Sequence, residues 1–119
     1  MARTKLLAKR AYDPPSRDDG LRVLVDRLWP RGITREELKL DLWPKEITPS
    51  NALRKWYHGH MNQFAEFRKR YRAELGQESE QVEELRSAIK GKTATLITAA
   101  KEIERSHVVV LREVLEGEG

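Results

Sequence analysis

The chain has 119 residues and a mass of 13.9 kDa, enough for one compact domain that buries roughly two-thirds of its unfolded surface without a disulfide or metal staple. It contains no cysteine, which excludes disulfide frameworks, cysteine zinc sites and thiolate catalysis. With 39% hydrophobic and 35% charged residues it reads as globular rather than disordered, and its net charge of +4 is uneven: residues 1–76 are basic, whereas residues 77–119 carry nine acids against six bases.

In chain order, Leu6–Tyr12 predicts a first strand, stopped by Asp13-Pro14-Pro15-Ser16 because neither helix nor strand continues through two prolines. After the turn signal Asp18-Asp19-Gly20, Leu21–Trp29 has the β-branched, apolar centre of a strand buried on both faces, read as the central strand. Pro30-Arg31-Gly32 ends it. Thr34-Arg35-Glu36-Glu37 is a capping box that starts a short helix running to about Leu38. Asp41-Leu42-Trp43-Pro44 breaks the chain again, and Ser50 is placed to cap a helix ending near Gly59.

Met61, Phe64, Phe67, Tyr71 and Leu75 form one helical stripe, with Gly76 at the expected stop. Val82, Leu85 and Ile89 mark another helix, closed by Gly91. Thr93–Thr98 predicts a strand, and Ile103, His107, Leu111 and Val114 are spaced as a last helix. Strands separated by long helical connections predict a single α/β domain over residues 1–119, three-layered, with a short, mainly parallel sheet flanked by helices. No apolar run approaches the roughly 20 residues of a membrane span. Residues 1–7 lack the apolar stretch of a secretory signal, so a cytoplasmic location and no membrane partner are expected.

In open α/β sheets ligands sit beyond the carboxyl ends of parallel strands. That rule selects residues 26–32 and the loop Ala99-Ala100-Lys101-Glu102. Arg27, Arg31 and Lys101 then form a candidate cradle for a phosphate or carboxylate, since guanidinium meets such groups bidentately. Asp26 is placed to orient Arg27 or to act as an acid–base group, and Trp29 to exclude water or stack. The structural alternative is a strand-end ion network with Trp29 in the core. Leu28-Trp29-Pro30-Arg31 recurs as Leu42-Trp43-Pro44-Lys45, which predicts two similar turns, each with a Trp over a neighbouring cation.

The densest basic run, Arg68-Lys69-Arg70-Tyr71-Arg72, together with Arg54 and Lys55, offers an alternative nucleic-acid-binding face. It equally reads as a solvated face with Glu66 paired to Arg70. A third reading is a protein-interaction module presenting the Trp-Pro turns. His58-Gly59-His60 does not make a metal set without further ligands. His107 reads as half-buried structure. No glycine-rich nucleotide fingerprint, phosphate-loop lysine motif or serine elbow occurs. No cofactor is expected, and no catalytic set is identified.

The residues from Arg22 through Gly32, with Val-Asp-Arg-Leu-Trp-Pro-Arg-Gly at positions 25–32, resemble a known family. So do Asp41–Ser50, Leu53–Tyr57, Phe67–Leu75 and Thr95–Glu102. The chain resembles the domain-of-unknown-function family 488, in its YeaO-like branch, over nearly its whole length. The resemblance implies a small bacterial or archaeal cytoplasmic α/β domain with no established activity. An aromatic residue is common in that family where Thr98 stands, and an Asp where Glu102 stands. Larger relatives look as though they carry cysteine where this chain has Ala99-Ala100, so the resemblance does not carry a covalent mechanism over to this chain.

Overall fold

A computed structural model describes residues 4–117. Three strands pair in parallel in the order β1-β3-β2: β1 (Lys5–Arg10), β2 (Leu21–Leu24) and β3 (Thr93–Thr98). The register runs from Lys5↔Thr93 to Arg10↔Thr98 and from Leu21↔Ala94 to Leu24↔Ile97. The central strand is therefore β3, not the Leu21 segment, and β2 is an edge. Its outer side is covered by the chain at 41–42, where Leu24 N–H donates to Leu42 O (3.0 Å) and Asp41 N–H to Arg22 O (2.8 Å). The helices are α1 (Arg35–Leu38), α2 (Asn51–His58), α3 (Phe64–Gly76), α4 (Ser79–Ile89) and α5 (His107–Leu115).

The period-two alternation of strand side chains divides the core. Leu6, Val23, Val25, Ala94 and Leu96 face α2–α5 and pack with Tyr57, Phe67, Tyr71, Ile89 and Leu111. Leu24 and Ile97 face the other way, under a thin cover of Leu38 from α1 with Trp29, Ile33 and Trp43 from the loops. That thinner face also holds a buried ion cluster. Asp19 accepts from Arg22 Nη1 (2.5 Å), Ser16 N–H (2.9 Å) and Lys9 Nζ (3.1 Å). Burial raises the Asp19 carboxyl, but these bonds outweigh it and hold the group below its ordinary value. Arg22 Nη2 is buried with no partner among the described residues. Gly20 makes this corner possible: its φ is +63°, and a Cβ there would lie 2.1 Å from Thr93 O.

Several element boundaries differ from the expectations, β1 among them, which ends at Arg10 rather than Tyr12. β2 stops at Leu24 rather than Trp29: Val25 N–H still bonds Ile97 O (3.0 Å), but β3 ends one residue later and the chain turns away. α3 begins at Phe64, leaving Met61 in a turn with 48% of its surface exposed. Gly76 is the last helical residue, and right-handed Gln77 carries the chain nearly directly into α4. The final helix starts at His107, because Ser106 caps it by accepting from Val108 N–H (3.2 Å), while Ile103–Arg105 forms a separate 3-10 turn. No helix among the described residues is long and apolar enough to cross a membrane.

Candidate functional site

The parallel strands send three loops to one edge of the sheet: residues 11–16 after β1, residues 25–34 after β2 and residues 99–106 after β3. Asp26 anchors the middle of this edge. One carboxylate oxygen accepts from Thr98 Oγ1 (2.7 Å), the other from Ala99 N–H (2.8 Å), and His107 Nε2 lies 3.0 Å from the first. His107 Nε2 is also 2.8 Å from Val25 O, so it carries the proton toward both acceptors. Burial pushes the Asp26 carboxyl up; the His107 contact, Ala99 N–H and the Thr98 hydroxyl more than offset this and leave it below its ordinary value. Asp26 thus orients His107 and the start of the third loop. Arg27 points elsewhere.

Arg27 donates from Nε to Pro49 O (3.2 Å) and from Nη2 to Thr48 O (3.3 Å), clamping the approach to α2. The other expected cations of the edge, Arg31 and Lys101, are exposed, and their side chains have no hydrogen bond or ion pair among the described residues. Trp29 donates Nε1–H to Ile33 O (2.6 Å) and meets Trp43 edge-on at 5.4 Å. Trp43 donates to Asp26 O (2.7 Å) and carries Lys45 Nζ 4.1 Å above its ring. The Trp-over-cation expectation therefore holds at Trp43–Lys45. Trp29 packs on the second Trp instead, and both indoles close the thin layer.

Two residues of this edge escaped the sequence reading. Arg10, the last residue of β1, donates from Nε to Ala100 O (3.1 Å) and sits 5.3 Å from the centre of the Tyr12 ring. Tyr12 donates its hydroxyl to Arg31 O (3.3 Å) and is 48% exposed. The strand-end rule that selected Arg27 and Lys101 also applies to Arg10, once β1 is recognised as parallel to β3. Leu28, 59% exposed, adds an apolar side chain to the loop after β2.

The basic helical face is organised differently. Arg68 Nη2 and Arg72 Nη1 share Glu113 Oε1 (2.7 and 3.3 Å), and Arg70 Nε pairs with Glu66 (2.8 Å). The expected Glu66–Arg70 pair is present. Arg54 bonds Asn51 (2.8 Å), and Lys55 is exposed. Trp56 is covered by stacked His60 at 4.6 Å and by the Arg70 guanidinium at 4.1 Å. His58 is exposed and does not join His60 in a ligand set. Open cavities of about 580 and 670 Å³ lie along α4 and between α4, the end of α5 and the start of β1, away from the three loops.

The sequence of this parallel α/β domain matches, over residues 5–118, the family described as the inactive DUF488-N3 subclade, and the chain belongs to it. It is 48% identical over 107 residues to the uncharacterized protein YeaO of Escherichia coli K12, covering 90% of this chain and 93% of that one. It is 40% identical over 114 residues to the uncharacterized protein Rv3073c of Mycobacterium tuberculosis H37Rv, covering 96% of each. No solved structure matches the chain.

Proposed function

We propose that this protein binds a small phosphate- or carboxylate-bearing molecule at the carboxyl edge of its sheet and does not turn it over. The observation that carries this reading is that each parallel strand delivers a cation to the same edge: Arg10 as the last residue of β1, Arg31 after β2 and Lys101 after β3. Two side-chain bonds tie the loops together, Arg10 to Ala100 O and Tyr12 to Arg31 O. Arg31 and Lys101 meet the anion, joined by the Nη groups of Arg10. Arg27 and Asp26 are positioning residues, acting through the 48–49 carbonyls and through the Thr98–Ala99 turn. Trp29 walls the site. Binding without chemistry is favoured because both Asp26 oxygens and His107 Nε2 are already engaged, in keeping with the family's description as inactive.

The nucleic-acid reading of Arg54, Lys55, Arg68, Arg70 and Arg72 has less support. Three of these arginines face carboxylates, and the neighbouring Trp56 already carries His60 and the Arg70 guanidinium against its ring. Isothermal titration with inorganic phosphate at low ionic strength tests the proposal. Saturable binding that weakens on the order of tenfold in Arg31→Gln/Lys101→Gln is expected. Binding unchanged in that variant, or none at millimolar phosphate, contradicts it.

A further inference from the structure

On the premise that the carboxyl edge takes an anion, we infer that its ligand carries the anionic group on a flat, unsaturated or aromatic body, and that Tyr12 is the residue that selects for it. Tyr12 is fixed at both ends. Its hydroxyl is bonded to Arg31 O at 3.3 Å, and the Arg10 guanidinium lies 5.3 Å from its ring centre. Arg10 is itself tethered through Nε to Ala100 O, so its Nη groups and the tyrosine ring hold one relative arrangement.

A ring in such a setting loses little further freedom when it accepts a partner. One of its faces carries the cation. Tyr12 is 48% exposed, so about half of the residue remains accessible to a ligand. A cation on one face also makes the ring a better partner for a second π-system on the other. The unengaged side chains of Arg31 and Lys101 lie in the loops this unit ties together. A planar body against Tyr12 therefore brings its phosphate or carboxylate to the cations without moving the loops. An aliphatic body meets the same charges but gains no ring-to-ring contact.

The probes are inorganic phosphate, hexyl phosphate and phenyl phosphate, titrated against the full chain and against Tyr12→Phe and Tyr12→Leu. Proton NMR of the phenyl group is followed in parallel. Phenyl phosphate is expected to bind roughly threefold to tenfold tighter than the other two, with upfield ring-current shifts of its protons. Tyr12→Phe keeps the preference. Both variants lose the bond to Arg31 O and are expected to weaken every probe, but Tyr12→Leu also removes the preference, leaving phenyl phosphate no tighter than hexyl phosphate. Equal affinity for all three probes, a hexyl phosphate as tight as phenyl phosphate, or a preference that survives Tyr12→Leu overturns the inference and leaves anion binding standing. No binding of any probe at millimolar concentration overturns both. Circular dichroism confirms that each variant is folded before it is scored.

Discussion

The helix α3 holds the densest basic run of the chain, Arg68-Lys69-Arg70-Tyr71-Arg72, yet the anion site proposed here lies at the carboxyl edge. On α3, Arg68, Arg70 and Arg72 each lie against a carboxylate supplied by Glu113 or Glu66. At the edge the cations are fewer and come from three separate loops, and Arg31 and Lys101 stand without local partners among the described residues. Charge density along a sequence does not locate a site. What counts is the charge left over once neighbours in space have been satisfied, and this depends on contacts such as Arg68–Glu113 that span 45 residues.

The contrast is broken most directly by removing one acid from each region. Asp26→Ala leaves Thr98 Oγ1 and Ala99 N–H without their acceptor and His107 with Val25 O alone, and a loss of about 2–4 kcal/mol in urea unfolding is expected. Glu113→Ala, at a surface pair, is expected to cost less than about 1 kcal/mol. Equal losses would mean that the edge is no better organised than the helix surface.

The next effect is on binding. Arg31→Gln/Lys101→Gln should lower phosphate affinity on the order of tenfold while stability stays within about 0.5 kcal/mol, because no described contact is removed. A large drop in stability would show that these side chains serve the fold.

Acid titration sharpens the comparison further. The Asp26 carboxyl is held below its ordinary value in the folded chain, so the unfolded chain binds the extra proton first. The stability Asp26 contributes is complete above its unfolded value of about 3.9 and is lost as pH falls through the lower folded value. Asp26→Asn should flatten the pH dependence of stability in that acid range, and an unaltered profile would remove Asp26 as its source. The smallest effect is expected from Arg68→Gln/Arg72→Gln, which should change phosphate affinity by less than about twofold.

Much of the fold was legible because local rules and tertiary packing agree. The Thr34–Glu37 capping box forms as read, Ser50 caps α2, and Phe67, Tyr71 and Leu75 make the buried stripe of α3. Strand order was not legible. Leu21–Leu24 looks like a central strand because it is buried on both sides, but its second cover is the 41–42 segment and the tryptophan loops rather than a neighbouring strand. At the candidate site, the strand-end rule selected residues 26–32 and 99–102, and the parallel sheet carries both at one edge. The rule did not reveal that Arg27 would turn to the Thr48 and Pro49 carbonyls or that Asp26 would take His107, since both depend on partners 21 to 81 residues away. The alternation of Arg22 within an apolar strand was the one local sign of the buried Asp19 cluster.

Amide chemical-shift mapping with inorganic phosphate compares the two basic regions in a single titration. Saturable shifts confined to the backbone amides of residues 10–13, 31–34 and 99–102 are predicted, with α3 unmoved. Shifts that saturate on α3 while those three loops stay silent would contradict the assignment of the anion site to the carboxyl edge.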